Sequence, residues 1–256
     1  MKRGILIALF LSLIVPITEA QLWKMRRYEA AAGFGSTSFF GDVGGFSRPI
    51  NILGLRDLSL LQTRFNLNLN LKFRITQEIN GRLSLSYGIL NADDRRGSNK
   101  DREYFATMSI FEPALIGEYY FLKHWSEDSY VFKKGRINRI KDFLGALDFY
   151  LFTGVGGLSY SILPNTALKT AMARDNMVNK GFTAIVPAGV GTTLIVTPDF
   201  NLGVEFGGRY ALTDRLDGYD SRYSQYSPSN DVYYFFNLTV TYKMKTGFNG
   251  LPSFRR

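Results

Sequence analysis

The clearest regularity in the chain runs from Phe65 to Ile75. Phe65, Leu67, Leu69, Leu71, Phe73 and Ile75 alternate there with Asn66, Asn68, Asn70, Lys72 and Arg74. A period of two places the apolar set on one face and the polar set on the other, which is a strand and not a helix. Asparagine is a poor strand former, so three in register mean that the environment of that face selects them. A segment of this length matches the roughly 9–11 residues that a tilted strand needs to cross a bilayer.

The same pattern returns along the chain. Leu83, Leu85, Tyr87 and Ile89 alternate with Arg82, Ser84 and Ser86. Leu115, Gly117, Tyr119 and Phe121 flank Glu118, and Leu147, Phe149 and Leu151 alternate with Asp148 and Tyr150. Leu202, Val204 and Phe206 alternate with Glu205 and Gly207, and Phe236, Leu238, Val240 and Tyr242 with Asn237, Thr239, Thr241 and Lys243. With two Gly- and Ala-rich segments, the pattern predicts eight strands, at about 28–40, 60–75, 81–90, 104–121, 145–160, 183–197, 202–213 and 231–244.

Soluble sandwiches and lipocalin-like barrels also alternate. Three features favour a membrane barrel: long strands, connections that alternate between short and long, and aromatics near strand ends as girdle candidates. Those aromatics are Phe39, Phe40, Tyr104, Phe105, Tyr119, Tyr120, Phe121, Tyr233, Tyr234 and Tyr242. The expected fold is therefore all-β, an eight-stranded antiparallel transmembrane β-barrel with a long central periplasmic turn. Its polar faces point inward, so Lys72, Arg74, Arg82, Arg209 and Lys243 share a lumen with Glu29, Glu118, Asp148 and Glu205. A barrel of eight strands is only wide enough to be filled by side chains. Opposite charges packed there are expected to satisfy one another rather than to line an aqueous pore.

Residues 1–20 have the form of a secretory signal peptide: Met1-Lys2-Arg3, an apolar stretch from Gly4 to Ile17, then Thr18-Glu19-Ala20. The competing reading, a single N-terminal anchor, has too short an apolar core for a span of about 20 residues. Cleavage leaves a barrel of residues 21–256 with both termini in the periplasm. Segments 41–59, 91–103, 161–182 and 214–230 then face outward, and the turns at 76–80 and 198–201 face inward and are short. The central inward turn, 123–143, is far longer than a hairpin needs, and such loops carry function or are disordered. It interleaves Lys133, Lys134, Arg136, Arg139 and Lys141 with Trp125, Tyr130 and Phe132. Exposed aromatics beside arginine build protein interfaces. Trp125, Tyr130, Phe132, Lys133, Lys134, Arg136 and Arg139 are the candidate partner-binding residues; the bland alternative is a solvated loop resting on outer-membrane lipid headgroups. The basic tail from Lys245, with Phe248, Leu251 and Phe254, lies on the same side.

Composition narrows the chemistry. The chain has 256 residues, 45% hydrophobic, 15% aromatic and 21% charged, and no cysteine. Its mean hydropathy of −0.08 excludes a polytopic helical membrane protein. The absent cysteines exclude a disulfide scaffold, a thiolate metal site, a Cys nucleophile and a lipid-anchoring cysteine. The +9 net charge asks for an anionic partner, yet no nucleic-acid module is present. His124 is the only histidine, and with Ser126 it falls in the inward turn, away from any strand face where a lipid hydrolase would need it. Asp93-Asp94 reads as a solvated charge cluster sooner than as a divalent-ion site. No catalytic, cofactor, metal or small-molecule site is expected, nor nucleic acid as a partner. The glycines of Gly154–Gly157 and Gly189–Gly191 sit within strands, where glycine relieves crowding.

One run is more distinctive: Gly33-Phe34-Gly35-Ser36-Thr37-Ser38-Phe39-Phe40-Gly41-Asp42-Val43-Gly44-Gly45. It resembles the early motif of the PorG-type outer-membrane proteins of the Bacteroidota, matching at Phe40, Gly41, Asp42 and Gly44. The Asn-rich second strand, the long central turn and the Gly-rich segment from Gly154 to Tyr160 extend the resemblance over the chain. Membership implies a non-enzymatic component of the type IX secretion system, anchoring or stabilising at the outer membrane a periplasmic ring built from the lipoprotein PorK and from PorN. In the motif, Gly41 is expected to allow a turn at the rim and Asp42 to accept backbone hydrogen bonds that fix the loop. The chain departs from common outer-membrane barrels by ending on Arg256 and not on an aromatic, which leaves Phe254 or Tyr242 to serve the insertion signal. The alternative function is that of a small OmpA- or OmpX-like surface barrel, acting in adhesion or envelope integrity through its outer loops.

Overall fold

The structure, a computed structural model, describes residues 26–44, 62–96, 100–123, 146–219, 230–247 and 249–253. The leader at 1–20, most of the 41–59 segment and every residue from 124 to 145 lie outside these. So do His124, Ser126 and the seven candidate partner-binding residues.

Eight long strands follow one another: β1 (Tyr28–Phe40), β2 (Arg64–Arg74), β3 (Ile79–Asp93), β4 (Phe105–Leu122), β5 (Leu147–Pro164), β6 (Lys180–Ile195), β7 (Phe200–Ala211) and β8 (Val232–Thr246). Each pairs antiparallel with the next, and β8 returns to β1 from Tyr28↔Met244 to Phe40↔Val232. The sheet is thereby closed into an eight-stranded antiparallel barrel. A two-residue β9 (Pro252–Ser253) folds the tail back on Lys245 and Thr246. One helix, α1 (Thr166–Arg174), lies between β5 and β6; the Asn165 side chain caps it by accepting from the Leu168 N–H at 3.0 Å. The rim that carries both chain ends is called the terminal rim, and the opposite one the distal rim.

Alternation dictates which side chains enter. On β2, Asn66, Asn68, Asn70, Lys72 and Arg74 are buried, while Leu67, Leu69 and Leu71 are each more than half exposed. With the sheet closed by an unbroken circuit of strand pairings and leucines outside, the medium that suits this surface is hydrocarbon.

The lumen is not polar throughout, and its distal part is an apolar core that the alternation does not reveal. On β4 the inward residues are Tyr120, Glu118, Ile116, Ala114 and Glu112 toward the terminal rim, a mixture of charged and apolar side chains, then only the apolar Ile110, Met108 and Ala106 toward the distal rim. The outward residues change in the opposite sense, from Leu115 and Phe111 to Ser109 and Thr107. β5 repeats this: Asp148 and Tyr150 give way inside to Leu158, Tyr160 and Ile162, while Leu151 and Val155 give way outside to Ser159 and Ser161. At one height the inward face of these strands loses its charges and the outward face gains serine and threonine, although Leu163 stays exposed at the end of β5. Below that height the barrel is inside-out; above it, it is built like a soluble protein, around a core that includes Phe39, Val43, Leu90, Met108, Ile110, Leu158, Leu168, Leu216, Tyr233 and Phe235. Strands of 18 residues in β4 and β5 exceed the roughly 9–11 that a crossing requires, and the surplus forms this distal tier.

The same geometry corrects the aromatic girdle. Tyr119, Phe121 and Tyr242 face outward and are exposed, but Phe39, Tyr120 and Tyr233 are buried. Adjacent residues of a strand point to opposite faces, so one of each neighbouring aromatic pair must turn inward.

Candidate functional site

Three regions of the described chain carry concentrated chemistry: the lower lumen, the distal rim and the terminal rim. In the lower lumen Glu118 sits on β4 with neighbours arriving from β3, β2 and its own strand. Its Oε1 forms ion pairs with Lys72 Nζ at 2.9 Å and with Arg82 Nη1 at 3.1 Å. Its Oε2 takes the Tyr120 hydroxyl at 3.2 Å and Asn80 Nδ2 at 3.4 Å. Arg82 also pairs with Glu205, to which the Tyr150 hydroxyl donates at 2.6 Å. Arg74 meets Glu29 at 3.3 Å. Asp148 is buried in the same wall. Arg209 is placed one layer higher, 3.5 Å from Glu112, which also accepts from Tyr233 at 2.6 Å.

The network thus gathers Lys72, Arg82, Glu118 and Glu205 into one cluster and leaves Arg74 with Glu29 and Arg209 with Glu112 as separate pairs. Sequence reasoning misses Glu112. It lies six residues before Glu118, on the same parity, but behind Pro113, and the visible alternation reaches back only to Leu115. These ion pairs match charge for charge, and Arg82 and Lys72 also lie over the Phe152 and Tyr150 rings. They fill the lumen and hold the wall together.

At the distal rim the chain leaving β1 folds across the opening. Gly44 has φ +81°, a backbone state in which a Cβ would also press on the Asp93 main chain. Val43 is buried in the distal core. Its N–H donates to Asp217 Oδ2 at 2.9 Å, and the Gly44 N–H to Asp94 Oδ1 at 2.8 Å. Arg102 donates to the Asp42 carbonyl at 2.7 Å and to Asp94 at 3.0 and 3.1 Å, with its guanidinium lying between the Tyr104 and Tyr219 rings. Asp231 Oδ2 accepts from the Leu216 N–H at 2.8 Å. The motif Phe40, Gly41, Asp42 and Gly44 is therefore the point where three connections interlock.

The motif supplies backbone donors and a backbone carbonyl, and carboxylates from the second and fourth connections accept. Asp94 is fully buried and ion-paired, not part of a solvated cluster, because the turn of β1 reaches over it. Asp217 and Asp231 are also buried. Burial first, and neighbouring aspartates after it, push both carboxyls above their ordinary range, Asp217 to about 7. Among the described residues, no group of three or more His, Cys, Asp or Glu side chains is placed to hold a metal ion.

The terminal rim is basic. Arg26 donates to the Pro198 carbonyl and pairs with Asp199 at 3.0 Å. Arg27 stacks on Phe73 and Lys123 on Tyr120, and Lys245 is exposed. Two connections at this rim are tight, spanning 75–78 and 196–199, while the third runs from Lys123 to Ala146.

A closed barrel with an apolar exterior and a filled, polar lower lumen defines a barrel of the outer-membrane type. Within that class the chain belongs to the family described as a domain of unknown function, DUF6089, whose model matches residues 3–248. No curated protein matches it in sequence. Among solved structures it is similar to the N-terminal β-barrel domain of Pseudomonas aeruginosa OprF, at 11% identity over 85% of this chain and 98% of that one, with a TM-score of 0.41. It is also similar to Neisserial surface protein A, at 12% identity over 84% and 96% with a TM-score of 0.42. A major outer membrane protein of Thermus thermophilus gives 11%, 85%, 98% and 0.42. The outer membrane enzyme PagL shares the barrel at 10% identity.

Proposed function

We propose that this chain is a filled, non-enzymatic barrel of the bacterial outer membrane that anchors a periplasmic assembly through its terminal rim. The carrying observation is the asymmetry of the connections there. Two of the three are four-residue turns, whereas β4 ends at Leu122 and β5 begins only at Leu147. A barrel needs no such excursion to close, so the extra chain serves something outside the barrel. It bears Trp125, Tyr130, Phe132, Lys133, Lys134, Arg136 and Arg139 and departs from a rim that Arg26, Arg27 and Lys123 already make basic. With the terminal rim in the periplasm, the partner is periplasmic and presents acidic and apolar surface.

The PorG-type motif at Phe40, Gly41, Asp42 and Gly44 narrows this reading to the type IX secretion system. In it the partners are the ring proteins PorK, a lipoprotein, and PorN. The barrel itself needs only surrounding outer-membrane lipids, and no nucleic acid, cofactor or small-molecule substrate takes part. Photo-crosslinkers placed singly across positions 123–143 in intact cells test it: ring proteins are captured from several of these positions. Capture of lipid alone, with no protein adduct at any position, contradicts it.

A second reading rests on the distal end. Leu163, Val178 and Phe182 are each over 70% exposed on the β5–β6 hairpin, as an adhesive or envelope-stabilising surface barrel would have them. In that reading deletion of the distal connections removes function, whereas in the first it leaves secretion intact.

A further inference from the structure

The three carboxylates that hold the distal closure are not equivalent. Asp94 has a permanent counter-charge, with Arg102 bonded to both of its oxygens. The hydrogen bonds of Asp217 and Asp231 are of another kind. Asp217 accepts from the Val43 N–H at 2.9 Å and the Tyr219 N–H at 2.9 Å, and Asp231 from the Leu216 N–H at 2.8 Å. These are backbone dipoles and not cations.

Asp217 is 0% and Asp231 1% exposed, and Asp231 Oδ1 has no hydrogen-bond partner. That oxygen points at Gly41, where a Cβ would come within 2.6 Å of it. Among the described residues, the titratable and charged groups around the pair include Asp42 from the β1–β2 connection, Asp214 and Arg215 from the β7–β8 connection and Tyr160 from β5. Two buried carboxyls that raise one another by like charge resist ionising together and titrate as a pair.

We propose that the Asp217–Asp231 pair is a proton-operated latch, which holds the turn at 41–44 against the segment 212–219 while it keeps a proton and releases it when the proton passes to solvent. The upward direction of both carboxyls agrees with this. A carboxyl raised in the closed form favours closure fully below its ordinary value of about 4. That contribution is lost as pH rises through the raised value, near 7 for Asp217. The latch sits at the opposite end of the barrel from the proposed docking rim and stands whether or not that reading holds.

Hydrogen–deuterium exchange on the full-length barrel in detergent tests it, with peptides covering 38–44 and 211–219, between about pH 4.5 and pH 8.5. Rates are divided by the base-catalysed intrinsic rate, and a β2 peptide serves as control. Between the open-state value near 4 and the raised closed-state value, the opening constant of both peptides rises on the order of tenfold per pH unit, and it levels off above the raised value. Asp217→Asn, which keeps an acceptor oxygen but cannot ionise, flattens the slope and leaves the region protected at alkaline pH. Asp231→Asn does the same and carries the test if Asp217→Asn fails to fold. A wild-type slope no steeper than that of β2, or a slope that survives in the asparagine variants, overturns the latch.

Discussion

Glu118 shows what single residues do in this lumen. It lies at 1% exposure with Lys72, Arg82, Tyr120 and Asn80 on its two oxygens. Removing one partner of such a cluster leaves buried charge without compensation, which costs about 3–5 kcal/mol. Glu118→Ala is therefore expected to lower the thermal transition of the heat-modifiable folded band sharply, while Glu78→Ala, on the exposed turn of β2 and β3, leaves it unchanged. Equal behaviour of the two variants contradicts the assignment of the lower lumen. Inward charges on clean alternating runs are legible in the sequence because parity alone decides their face. Glu112 is not, since Pro113 interrupts the run. The roles within the Gly-Asp motif are also hidden, because which of two spatial neighbours donates depends on contacts 50 and 174 residues away.

At the scale of the strand, the exchange of faces on β4 and β5 is the main departure from what the pattern predicts. Alternation reports that two faces differ, but not that they trade places partway along. Met108, Ile110 and Leu158 keep the period while reversing its sense, and only the position of the bilayer explains the reversal. Closure of the barrel depends on a second strand-scale feature, the small residues at its seam. A Cβ at Gly35 would collide with the Phe236 carbonyl and the Asn237 side chain on β8, whereas one at Gly81 meets nothing nearer than Ile75 Cδ1 at 3.5 Å. Gly35→Val is accordingly expected to abolish the compact, heat-modifiable form. Gly81→Ala is expected to change stability by less than about 1 kcal/mol. A fully compact Gly35→Val barrel would show that the β1–β8 register differs from the one described.

For the whole molecule, the barrel combines a membrane half whose lumen is filled by ion pairs, a distal tier closed over a soluble-type core, and a basic terminal rim from which the long central connection departs. The eight-stranded architecture is legible from period and spacing because closure follows from the strand count and the alternation. The distal closure is not, since it arises from loops that carry no period. The long turn is legible only as length and composition, and its seven candidate residues, Trp125, Tyr130, Phe132, Lys133, Lys134, Arg136 and Arg139, fall outside the described chain.

The central claim is that this turn joins the barrel to a periplasmic ring. The most direct measurement is co-purification of PorK and PorN with a barrel in which Lys133, Lys134, Arg136 and Arg139 are all replaced by alanine. Membrane insertion is checked in parallel by heat-modifiability. The account predicts an inserted, heat-modifiable barrel that no longer brings down the ring proteins. Undiminished co-purification with the inserted quadruple variant contradicts it.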